Sequence, residues 1–366
     1  SDRWRALRTG ITRLDGIIQA QGSENTPAGP VSGGRQRASG TGRADGCTLG
    51  TSGGSQSARG PRFDGSVASN GYAWWYVDAL SDDGQHGITL IAFIGSVFSP
   101  YYAWARRRGP ADPANHCAFN IALYGAAGKR WAMTERGVQS MHRDATHLQV
   151  GRSIMRWNGD ALQIDVDEIC VPLPRRIRGS IRVLPNAIVN HTESLDLAGR
   201  HRWHPLAPSA RIEVKLETPA LHWSGDAYLD SNDGDEPIEN AIRQWCWSRA
   251  DVHDGCAVLY DVHERSGAEK SIALSFARDG TVSDFAPPPR VQLPSSGWRI
   301  RRETRSDNGM ARVERTLEDT PFYARSLVDA ELLGQSTRAV HESLDLDRFR
   351  APVVQAMLPF RMPRRR

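Results

Sequence analysis

The chain has 366 residues, 39% hydrophobic and 24% charged, which leaves room for two domains and excludes collagen-like and wholly disordered classes. Its net charge of +4 resides in the first 60 residues, where eight Arg face four acids; residues 61–366 balance at 38 basic and 38 acidic side chains, so no nucleic-acid partner is expected. The longest strongly apolar run, Ile88 to Phe98 at 11 residues, is too short to span a bilayer, no secretory leader is visible, and five Cys without close pairing fit a reducing, cytoplasmic setting.

Residues 1–60 hold 13 Gly and 7 Ser, with Trp4 as their only aromatic side chain, and read as a disordered Gly/Ser-rich extension. Glycines 40, 42 and 46 lack the spacing and the preceding strand of a dinucleotide fingerprint. From Phe63 the chain turns to short, aromatic-rich runs punctuated by turns. Residues 71–80 and 88–94 flank Ser81-Asp-Asp-Gly84 as strand, turn and strand. Residues 117–124 and 130–134 come next, and Gly125-Ala-Ala-Gly-Lys129 between them lacks the spacing and the hydroxyl of a P-loop. No nucleotide site is expected.

Asn158-Gly159 marks a hairpin between residues 153–157 and 161–166. Residues 178–184 and 211–216 alternate at period two, and the second half repeats the style at 256–262, 271–276 and 298–301. Helices are few: 324–332, and 346–357 broken at Pro352. The tail Arg361-Met-Pro-Arg-Arg-Arg366 reads as a solvated cationic end, with contact to an anionic lipid surface as the alternative. Many short strands at regular spacing predict an all-β, antiparallel barrel or sandwich architecture, dividing near Pro205-Leu-Ala-Pro208 into domains 61–205 and 206–366.

Polar and aromatic residues crowd that join. In a strand, residues two apart share a face, so His201 pairs with Trp203 and Tyr228 with Asp230. Two such pairs facing one cavity would gather an acid, an imidazole, a phenol and an indole around one point. The competing reading of the same residues is an acidic surface turn beside an aromatic core. Asp226, Asp233 and Asp235 are rival acids. An EF-hand is excluded, because its third ligand position falls on Gly234 and its closing one on Ala241. Cys246, His253, Cys256 and His263 fall within 18 residues, but their spacing does not suit zinc, and no metal is expected. Trp74, Trp75 and Tyr76, with Tyr101, Tyr102 and Trp104, read as core or pocket wall before anything else.

Several segments together resemble the bacterial carotenoid 1,2-hydratases, also called hydroxyneurosporene synthases. They are Gly95-Ser-Val-Phe-Ser-Pro-Tyr-Tyr102, Asn115-His-Cys-Ala-Phe-Asn-Ile-Ala-Leu-Tyr124, His201-Arg-Trp-His-Pro205, Tyr228-Leu-Asp-Ser-Asn232 with Gly234-Asp-Glu-Pro237, and the run from His341 to Pro363. The likeness spans about 63–364 and leaves out residues 1–60, which are expected to be an upstream extension or a translation artefact.

The resemblance implies two lipocalin-like domains and cofactor-free addition of water to the terminal double bond of acyclic carotenes such as neurosporene and lycopene. It places catalysis on His201, Trp203, Tyr228 and Asp230. Such chemistry needs a buried, protonated acid, assigned to Asp230; a cation-stabilising ring, Trp203; a water-activating imidazole, His201; and an orienting phenol, Tyr228. A C40 polyene also demands a long apolar slot, with Trp74, Trp75, Phe93, Tyr101, Tyr102 and Trp104 as its expected lining, and peripheral contact with the inner, photosynthetic membrane. The alternative is a non-enzymatic lipocalin-like carrier with Asp230 in an exposed loop.

Overall fold

The computed structural model describes residues 60–125 and 128–365. The extension expected over 1–60 therefore lies, but for Gly60, outside the described residues. The fold is all-β with few helices, as the short alternating runs require. Two antiparallel sheets carry it, one of 13 strands and one of seven, beside a two-stranded ribbon.

The larger sheet begins in the middle. Strand Tyr72–Ser81 pairs on one side with His86–Ile94 and on the other with Leu221–Gly234. From there the ladder runs one way through Cys117–Gly125 and Arg130–Arg136, and the other way through His201–Thr218, Arg176–Pro185, Leu162–Ile169, Ser153–Trp157 and His147–Val150. Ala132 near one end of this ladder and Leu148 near the other share one apolar core, so the sheet curls upon itself. The Asn158-Gly159 hairpin forms as expected, with Gly159 at φ +100°, a region glycine enters without steric cost.

The smaller sheet runs in spatial order Val282–Asp284, Glu269–Ala277, Gly255–Glu264, Ile242–Val252, Gln335–Asp345, Tyr323–Leu332 and Ala311–Asp319. It packs on the outer face of the curled sheet and builds a second core there. Strand Tyr72–Ser81 serves both cores. Ala73, Trp75, Val77 and Ala79 face the inside of the curl, whereas Tyr72, Trp74 and Tyr76 face the seven-stranded sheet.

Three expectations meet different structure. The division expected at 205/206 falls inside the continuous strand His201–Thr218; the change of sheet comes between Gly234 and Ile242. Prolines 205 and 208 sit where the ladder shifts register, at Pro205/Ala207 and Ala207/Ala210, so residues that suggest a linker mark bulges instead. The helix expected over 324–332 is the strand Tyr323–Leu332, paired on both edges; tertiary ladder bonds override the helix-forming residues within it. The cationic tail is not free. Arg364 and Arg365 pair in parallel with Glu135 and Arg136, and Arg364 forms an ion pair with buried Glu135. The break at Pro352 does occur, between helices Leu346–Arg350 and Pro352–Met357.

Candidate active site

Strand register assembles the cluster. Asp230 sits opposite Tyr76 on one neighbouring strand and opposite Pro205 on the other, while Trp203 sits opposite Asn232. Period-two alternation then aims Tyr228, Asp230, Trp203 and Tyr76 at the seven-stranded sheet. Across the gap, Trp247 and Tyr260 close the enclosure, with Tyr228 5.2 Å from Trp247 and Trp203 5.8 Å from Tyr260 between ring centroids, edge to face.

Within this aromatic box Asp230 is 5% exposed. Its Oδ2 accepts a 2.7 Å hydrogen bond from the Tyr228 hydroxyl and a 2.8 Å bond from Trp203 Nε1. Oδ1 is buried with no partner among the described residues. Burial disfavours the charged carboxylate and outweighs the two donors, pushing the Asp230 pKa up to about 7. The same burial holds the Tyr228 phenol well above its ordinary range.

His201 lies one step along the same strand face, fully buried, in a polar nest of its own. Its Nδ1 shares a 3.0 Å hydrogen bond with the Tyr72 hydroxyl, and its backbone N–H donates to Asp196 at 2.9 Å. Nε2 stands 3.6 Å from Glu236 Oε1 and has no hydrogen-bond partner among the described residues. Desolvation lowers the imidazole pKa, favouring the neutral ring. The structure thus joins Trp203, Tyr228 and Asp230 by direct hydrogen bonds and sets His201 beside them without a bond to the acid.

The rival acids differ in kind. Burial alone would raise Asp233, but hydrogen bonds from His204 and Arg202 carry it below the usual carboxylate range. Arg202 likewise lowers Asp235, and Asp226 pairs with Arg211 at the surface. Cys246, His253, Cys256 and His263 do not converge. Cys246 Sγ lies 3.5 Å from Ser343 Oγ, His263 bonds Glu269, and no group of three or more potential ligands is found among the described residues.

The six aromatic residues expected to line a slot divide. Trp74 and Phe93 belong to the core that holds Asp230, whereas Trp75 faces the inside of the curl against Phe63. Tyr102 stacks on His116 and donates to the Gly71 carbonyl, and Tyr101 meets Trp104 on a half-buried helix.

Sequence reasoning missed a neighbouring ionic network. Asp78 accepts from Arg249 at 2.5 Å and also pairs with Arg325, which in turn binds Glu342 and the Tyr76 hydroxyl. Asp78, Arg249 and Arg325 are all buried. A signal existed for one member: Asp78 continues the Trp74, Tyr76 face at period two. Reading 324–332 as a helix concealed the inward aim of Arg325.

Comparison with known proteins gives a consistent result. The family model for the carotenoid hydratase CrtC matches residues 90–366. The chain is 57% identical to the acyclic carotenoid 1,2-hydratase of Thiocapsa roseopersicina, over 98% of this chain and 89% of that protein. It is 52% identical to the enzyme of the same description from Rubrivivax gelatinosus, over 100% and 91%. The relative from Cereibacter sphaeroides is 41% identical over 75% of this chain and 98% of its own length. The first two alignments extend into residues 1–60, a segment the motif resemblance did not lead one to expect in such proteins. A crystal structure of a protein provisionally assigned as AttH, from Nitrosomonas europaea, superposes with a TM-score of 0.52 at 13% identity, covering 78% of this chain and 98% of that one, a likeness of fold alone.

Proposed function

The chain belongs to the carotenoid hydratase family, and from that premise we propose that it adds water across the terminal C1=C2 bond of acyclic carotenes such as neurosporene and lycopene, giving 1-hydroxy carotenoids. One observation carries the mechanistic reading: a carboxyl group buried in a box of aromatic rings, with a pKa near 7 and one unpartnered oxygen.

Protonating an isolated trisubstituted alkene requires an acid that keeps its proton near neutrality and a cavity that tolerates a carbocation. Asp230 Oδ1 delivers the proton to C2, so the positive charge develops at tertiary C1. Tyr228 and Trp203 hold the other oxygen, fixing the carboxyl plane and stabilising the carboxylate left behind. The faces of Trp203 and its ring neighbours supply cation–π attraction, worth about 2 kcal/mol or more when water is excluded. A neutral His201, its Nδ1 sharing a hydrogen bond with the Tyr72 hydroxyl, accepts the proton of the incoming water as the C1–O bond forms. Addition of water changes no oxidation state overall, so the reaction as drawn calls for no redox cofactor. The insolubility of a C40 polyene supports a place on the cytoplasmic face of the photosynthetic membrane.

The test is incubation of purified protein with lycopene or neurosporene in lipid vesicles, beside Asp230→Asn. The expected result is a product heavier by one water, with the mutant slower by at least about 10²-fold, the scale of general acid catalysis. Product retained in the mutant would move the acid elsewhere. Carotene bound without product by the folded wild type would leave a carrier.

A further inference from the structure

The C-terminal helical segment is apolar on a buried face and on an exposed one. Val354 and Leu358, four residues apart, are buried in the core that holds Asp230. Val353 and Met357 of the helix, with Phe360 of the tight turn that follows it, are 67%, 42% and 76% exposed. A surface helix ordinarily turns polar residues outward, so this outward stripe lacks its normal composition.

Its charge setting is one-sided. From Arg348 to the C-terminus the sequence contains six Arg and no acidic residue. Arg350, Arg361 and Arg365, which flank the stripe in sequence, are exposed. Nearby, Arg348 donates to the carbonyl of Trp298, an indole 46% exposed and of the type that favours the water–lipid boundary. Exposed apolar tips within a cationic rim are complementary to an anionic bilayer, which offers phosphate groups at the rim and acyl chains beneath the tips. No helix among the described residues is long and apolar enough to cross a membrane, so such contact would be made by docking this face.

The inner side of the segment leads to the site. Phe349 of the first short helix lies 6.0 Å from Phe98, which lies 6.0 Å from Phe93; Trp74 follows at 6.0 Å, Tyr72 at 4.9 Å and His201 at 5.8 Å, all between ring centroids. An unbroken row of rings thus connects the helical segment with the polar nest beside Asp230.

We infer that the face formed by Val353, Met357 and Phe360 within its arginine rim docks on an anionic lipid bilayer, and that the polyene enters at this segment along the row of rings. The inference rests on the carotenoid substrate proposed above, but its test reads lipid binding separately. Co-sedimentation is measured with phosphatidylglycerol-containing and with pure phosphatidylcholine vesicles, for the full chain and for Val353→Ser/Met357→Ser/Phe360→Ser. Near-UV circular dichroism verifies the fold of the variant.

The wild type is expected to bind the anionic vesicles, more weakly at high salt, and the triple variant to bind roughly tenfold or more less tightly. It should also lose turnover of vesicle-borne carotene while keeping turnover of detergent-dispersed carotene. Equal binding by the two proteins, or no binding by either, overturns the docking face. So does a dimer of the wild type in solution that the triple substitution dissociates, because a second copy would then be the occupant. Docking without any hydration would retain the surface and reject the catalytic reading.

Discussion

At the scale of single residues, Asp230 is set apart by what does not touch it. Asp233 and Asp235 have Arg202 to hold their charge, whereas Asp230 receives only two neutral donors and one of its oxygens has none. The sign of the pH dependence follows. An acid that must be protonated loses activity as pH rises through its pKa. The rate should fall on the acid side once the neutral His201 gains a proton, and it should fall tenfold per pH unit above about 7. Tyr228→Phe removes a hydrogen bond that favours the carboxylate and should therefore move this limb to higher pH. Trp203→Phe should do the same while keeping a ring for the cation. A pH–rate profile for each variant checks both, and a limb displaced to lower pH would contradict the assignment of the acid.

At the scale of strands, alternation was readable from the residues alone. The spacing of His201 with Trp203 and of Tyr228 with Asp230 correctly paired their faces. Register was not readable, because it depends on which distant strand lies alongside. Nothing in residues 71–80 announces that Tyr76 will stand opposite Asp230 or that Asp78 will reach two arginines on the other sheet. Pro205 misled for a physical reason: a missing N–H suits a linker and a bulge equally. The Asp78 network ties the strand Tyr72–Ser81 to the seven-stranded sheet through ions that water cannot reach. Asp78→Ala leaves Arg249 and Arg325 short of a counter-charge, and its expected cost is about 3–5 kcal/mol. Urea denaturation measures that loss; a change within error would show that water or rearranged side chains compensate.

At the scale of the whole molecule, two cores share one strand and the ladder around it. Neither core can be exposed without stripping a face from Tyr72–Ser81, so residues 60–365 should unfold in a single step. Far-UV circular dichroism and tryptophan fluorescence should give superimposable thermal curves, since each core contains tryptophans. Two separated transitions would mean that the seven-stranded sheet melts by itself. The helical segment caps the second core at the rim, far along the row of rings from His201, which separates the face that would meet lipid from the groups that would do chemistry.

That shared strand also channels how the protein can diversify. A substitution at Trp74 or Tyr76 reshapes the core around Asp230 but must remain compatible with Trp75 and Val77, packed on the reverse side of the same backbone. Trp245, Trp247 and Tyr260 enter that core from a sheet that the inside of the curl does not use. Adaptation to shorter, longer or differently saturated polyenes is therefore freest on that opposite wall, and a library aimed at new selectivity should be written there first.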